Sequence, residues 1–127
     1  MKIAIIASRV LLGVSGVALL LLGILFWTGH ALTLVPLHML LGALLVLSMW
    51  MLVAISLHAR TAMGFAAVVL AWSLIVPLLG MTQMQLLPGS GHWMIQVLHL
   101  LVGIAAMGLG GVLAKRLTAQ QARDVMA

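Results

Sequence analysis

Residues 36–57 read PLHMLLGALLVLSMWMLVAISL. The run holds no Asp, Glu, Lys or Arg, and its only titratable side chain is His38. About 20 apolar residues in a helix cross the roughly 30 Å hydrocarbon core of a bilayer. Backbone groups in lipid must pair with one another, so such a run predicts a transmembrane helix. Three more runs of this kind flank it, at about 5–27, 62–79 and 92–114. The sequence therefore predicts an all-α membrane protein, one four-transmembrane-helix domain over 1–127, with residues 115–127 as a water-soluble tail.

Composition points the same way. The chain has 127 residues, of which 65% are hydrophobic and 6% charged. A soluble domain carries about 25% charged residues, so this chain has too little polar surface for water. There is no Cys, which excludes disulfides, zinc–thiolate centres, iron–sulfur clusters and thiol catalysis. Asp124 is the sole acidic residue and lies in the tail. The spans thus lack the carboxylate on which cation-coupled transport usually depends, and they hold no carboxylate pair or Ser–His–Asp set. The first run is too long for a signal-peptide core and has no A-x-A site after it, so it reads as a retained helix.

The net charge of +5 reports topology here, with no nucleic-acid partner implied. Lys2, Arg9, Arg60, Lys115, Arg116 and Arg123 fall at the N-terminus, in the second connection and in the tail. The first and third connections have none. The positive-inside rule then predicts an up-down-up-down bundle with both termini cytoplasmic, in a membrane such as the bacterial inner (cytoplasmic) membrane. Pro36 suits the first turn of the second helix, and Pro88-Gly89-Ser90-Gly91 breaks the chain before the fourth. Gly13, Gly16, Gly103, Gly108, Gly110 and Gly111 permit close helix approach. Pro77 is expected to bend the third helix. Trp27, Trp93, Trp50 and Trp72 read as interface anchors.

On this topology His30, His38, His92 and His99 lie on the outer side, and His58 lies at the cytoplasmic end. His38 sits in LHMLLG (37–42) and His99 in LHLLVG (98–103). The second and fourth helices run in the same direction and are diagonal neighbours in such a bundle, so the two histidines are expected to face each other. Gly42 and Gly103 follow at i+4, on the same faces and one turn deeper. Each clears space below its histidine, as a flat, wide ligand held by two imidazoles requires. Haem b is such a ligand, and two axial imidazoles leave its iron no open position. His30, His92 and Trp93 are candidate supports around it.

These features resemble the membrane b-type cytochromes, in particular the four-helix core of the cytochrome b subunit of quinol–cytochrome c reductases. In that family the second and fourth helices carry the haem ligands, and His38 and His99 match the outer pair. The family's inner ligands lie 13 or 14 residues further in, where this chain has Met51 or Leu52 and Val112 or Leu113. The resemblance thus implies one outer haem and electron transfer, with membrane quinol (a quinone partner) as a donor and superoxide or a redox protein as an outer-side acceptor. An enzymatic role as a quinol-linked oxidoreductase is left open, since no catalytic acid or base stands out. Gln83, Gln85, His30 and His92 are the polar candidates for a quinone site.

His58 is a candidate ligand for a second haem shared with another protomer of a homodimer, against the alternative of a solvated interfacial histidine. A rival chemistry is copper. Met39, Met81, Met84 and Met94 share the outer side with four histidines, and thioether with imidazole suits Cu(I). The remaining alternative is an accessory membrane subunit with no cofactor.

Overall fold

A computed structural model describes residues 1–126. It contains α1 (Lys2–Trp27), α2 (Val35–His58), α3 (Met63–Thr82) and α4 (His92–Met126), with 3-10 turns at Leu32–Leu34 and Gln83–Gln85. All four helices are long and apolar enough to cross a membrane. They contain the four expected runs, and the main difference is at the C-terminus. The tail expected as a separate polar piece continues α4 as helix to Met126. Ala119, Gln120, Gln121 and Ala122 are acceptable helix formers, and Gln120 donates to Asp124 at 2.8 Å while Arg123 donates to Gln120 at 3.0 Å. Such contacts one turn apart support an exposed helix.

Short connections fix the helix ends. The Thr28 hydroxyl donates to the Leu25 carbonyl at 2.9 Å, and Gly29 takes φ 76° to turn the chain out of α1. Pro36 stands at the start of α2, as its missing N–H and fixed φ favour. Between α2 and α3, Arg60 and Ala62 adopt φ 49° and 54°, a left-handed region that non-glycine residues seldom visit. A reciprocal pair holds this turn: Thr61 N–H donates to Ser56 O at 3.0 Å, and the Ser56 hydroxyl donates back to the Thr61 carbonyl. The expected break before α4 is a backbone turn in which His92 N–H donates to Gly89 O at 3.2 Å.

In the packed bundle α2 and α4 touch each other and each touches both α1 and α3. They form the short diagonal, as the sequence reading expected. The glycines divide differently from that reading. A methyl group on Gly16 would strike Met107, and one on Gly110 would strike Leu12. At Gly13, Gly103, Gly108 and Gly111 it would meet nothing within 4 Å. Only Gly16 and Gly110 of those six bring α1 and α4 close.

The tryptophans also depart from expectation. Trp50 donates to Ser73 Oγ at 2.8 Å, tying α2 to α3, and Trp72 donates to Val102 O at 3.0 Å, tying α3 to α4. Both are interhelical ties within the spans, where a buried indole N–H needs a partner. Trp27 and Trp93 are exposed near helix ends, as interface anchors should be.

Burial is unevenly distributed. The core of Ile5, Leu12, Met49, Leu52, Val69 and Leu113, with its neighbours, occupies the half of the bundle near the basic residues. Arg116 adds a cation–π contact there, 4.2 Å over the Phe65 ring. At the histidine end, α2 has no buried residue before Leu45 and α3 has none after Ser73.

Candidate functional site: two facing histidines

His38 lies in the first turn of α2 and His99 two turns into α4, each on the face turned to the other helix. Their ring centroids are 6.4 Å apart, with 43° between the planes. Both side chains are half-buried, and neither Nδ1 has a hydrogen-bond partner among the described residues. A buried polar atom left without a partner costs about 1–3 kcal/mol. The rings face one another, while the Cε1–Nδ1 edge of His99 is turned toward Gly80 of α3.

The spacing has a chemical meaning. Two imidazoles with centroids 6.4 Å apart are near enough that both could hold one metal-bearing group between them. The donor set is also telling. No group of three or more His, Cys, Asp or Glu able to hold a metal ion exists among the described residues. Two opposed imidazoles suit a metal that brings its remaining ligands with it, as haem iron does.

Two glycines leave the positions below the histidines open. Gly42 and Gly103 lie one turn deeper than the histidines, and a methyl on either would meet nothing within 4 Å. This open space adjoins the stretches of α2 and α3 that bury nothing of their own. These stretches present apolar side chains to their surroundings.

Two residues at the site were missed in the sequence. Phe26, from the last turn of α1, tilts against His38 with centroids 5.4 Å apart. Gly80 of α3 backs His99: a methyl there would stand 3.1 Å from the imidazole Cε1. One signal could have found both. Phe26 and His38 are about equally far from the first connection, and Gly80 and His99 about equally far from the Gly89 turn, so each pair shares a depth.

The other candidates stand apart from this pair. His30 is exposed, its Nδ1 3.1 Å from the Thr28 hydroxyl. His92 is 3.3 Å from the Leu86 carbonyl through Nδ1 and supports the turn before α4. Trp93 is 56% exposed. His58 is exposed at the opposite end of α2. The chain matches no family model, no curated protein and no solved structure.

Proposed function

We propose that this protein is a b-type haem electron carrier of the membrane, with haem b held between His38 and His99. The observation that carries the reading is the His38–His99 pair, 6.4 Å apart and bare at both Nδ1 atoms. The open positions at Gly42 and Gly103 support it. The proposed setting is an up-down-up-down bundle in a bacterial cytoplasmic membrane, both termini inside, with the histidine pair toward the outer face. The basic residues at the opposite end support that orientation.

Haem held by two imidazoles supplies reversible one-electron transfer between its ferric and ferrous states and leaves no position for oxygen. The chain's part is to hold and orient. His38 and His99 would hold the group by one lone pair each, and Phe26 and Gly80, which lie against them, would limit the tilt of the two rings. The apolar walls exclude water. The spans contain no carboxylate, so protons released by a quinol would pass to outer-end groups, of which His30, His92, Gln83 and Gln85 are available. A quinol donor and an outer-side acceptor complete the proposal.

The copper reading draws less support. Met39, Met81, Met84 and Met94 are 61%, 73%, 75% and 52% exposed, so none is drawn in toward the histidine pair.

The test is the visible spectrum of the detergent-purified protein from haem-sufficient cells, oxidised and then reduced. The expected result is a Soret band with sharp α and β bands on reduction, absent from both His38→Ala and His99→Ala. A colourless preparation overturns the proposal. Bound copper without a Soret band transfers support to the metal-ion reading. One haem per chain is expected, with His58→Ala retaining it; half a haem more per chain, lost in that variant, would reveal a shared inner group.

A further inference from the structure

A groove of about 760 Å³ runs along the outward face of α1, away from the histidine pair. Its floor is Val10, Gly13, Val14, Val17 and Leu21, and Arg9 and Thr118 stand at its basic end. Nothing among the described residues fills it. Val10, Val14, Val17 and Leu21 are all more than half exposed, and a methyl on Gly13 would meet nothing within 4 Å.

Three features identify the occupant. From Arg9 to Leu21 the helix rises about 18 Å at 1.5 Å per residue. One leaflet of a bilayer hydrocarbon core is about 15 Å deep, so the groove has the length of one acyl chain. The second feature is depth. Leu12 meets Gly110 and Gly16 meets Met107 across α1 and α4, which sets Arg9 near the level of Lys115, where the apolar run of α4 ends. The guanidinium therefore reaches headgroup level by extending along the helix. The third is charge. The chain's one acidic side chain, Asp124, accepts a hydrogen bond from Gln120, and no ion pair to Arg9 forms among the described residues. A cation at this depth is stabilised by an anion from outside the chain.

The geometry points to a binding site for an anionic phospholipid, its phosphate on Arg9 and one acyl chain laid along Val10, Gly13, Val17 and Leu21. Thr118 Oγ1, which donates to Ala114 O at 2.9 Å, still has lone pairs to accept a hydrogen bond from a glycerol headgroup. Gly13 matters because a larger side chain would stand up in the middle of the groove. The site is independent of the histidine pair and of which side of the membrane the basic end faces.

The test is native mass spectrometry of the full chain in a mild non-ionic detergent, with phosphatidylglycerol and phosphatidylcholine of matched chains added in equal amounts. Phosphatidylglycerol is expected to be retained about fivefold better, the weight of one basic side chain near an anionic headgroup. Arg9→Gln should abolish the preference, and Arg9→Lys should keep most of it. Gly13→Leu should reduce retention of both lipids, with helicity by circular dichroism unchanged. Excess inorganic phosphate should not displace the lipid, because the chain contributes to binding; displacement overturns the acyl-chain assignment. Equal retention of the two lipids, or an unchanged preference in Arg9→Gln, overturns the site. A wild-type dimer lost in Gly13→Leu, with lipid retention unaffected, would show that a second copy covers the groove instead.

Discussion

The two imidazoles sit where side-chain chemistry is most exacting. Each is bounded by one neighbour from the helix beside it, Phe26 for His38 and Gly80 for His99. Gly80→Ala places a methyl 3.1 Å from the His99 ring, so the ring must turn or retreat by a few tenths of an ångström. For the proposed haem protein, the expected outcome is retained haem with a changed low-spin electron paramagnetic resonance signal, since that signal would follow the relative tilt of the two rings. An unchanged signal would mean that α3 does not set the orientation of His99. Gly42→Leu and Gly103→Leu fill the open positions below the histidines, and on the proposed haem ligation each is expected to lose haem while keeping its helicity. Haem content against circular dichroism checks both. The histidines, with the glycines below them, were legible because polar residues in a greasy run stand out and i+4 spacing is local. Phe26 and Gly80 were not, because their roles arise between helices and depend on depth matching across the connections.

Among the helices, the polar ties are few and specific. Trp50–Ser73 joins α2 to α3, and Trp72 to the Val102 carbonyl joins α3 to α4. Interhelical hydrogen bonds in membranes contribute about 0.6 kcal/mol on average and up to about 1.7. A double-mutant cycle of Trp50→Phe with Ser73→Ala should give a coupling in that range, read from unfolding in mixed detergent micelles. Packing glycines give a second contrast. Gly110→Ala meets the terminal methyls of the buried Leu12 at 2.8 and 3.2 Å, whereas Gly16→Ala meets Met107 from Cγ to Cε at 2.6–2.8 Å. Both variants should be less stable than the native chain in the same assay, and Gly13→Ala, which meets nothing, should not. Sequence counting had treated six glycines alike. Only the rotation of α1 against α4 decides which of them face a neighbour, and no local pattern encodes that rotation. The indoles were misread for a related reason: composition marks Trp as an interface residue, while the Ser73 hydroxyl and Val102 carbonyl that satisfy Trp50 and Trp72 come from other helices.

At the scale of the molecule, the apolar runs made four spans legible because charge is nearly absent from each. The extension of α4 to Met126 was hidden by its polar composition, which looks the same for a loop and for an exposed helix. The proposed orientation has a direct check, since the chain contains no cysteine. Single cysteines at Thr33, Ser90 and Thr118 can be labelled in intact cells with a membrane-impermeant maleimide. The first two should react from outside, and the third only after lysis. Labelling of Thr118→Cys in intact cells would invert the arrangement and place the histidine pair toward the cytoplasm.

The contact of Leu12 with Gly110 has a consequence for synthesis. α1 is made first, and this partner on α4 is made more than eighty residues later. At about 5–20 residues per second the wait is roughly 5–20 s, during which that face of α1 has only lipid against it. The helix is suited to the delay. Its span is strongly apolar, and its buried Ser15 donates to Leu11 O of the same helix at 2.6 Å. A serine satisfied within its own helix needs no hydroxyl or carbonyl from a neighbour while that helix waits in the bilayer. The local bond thus serves the nascent chain as much as the finished bundle.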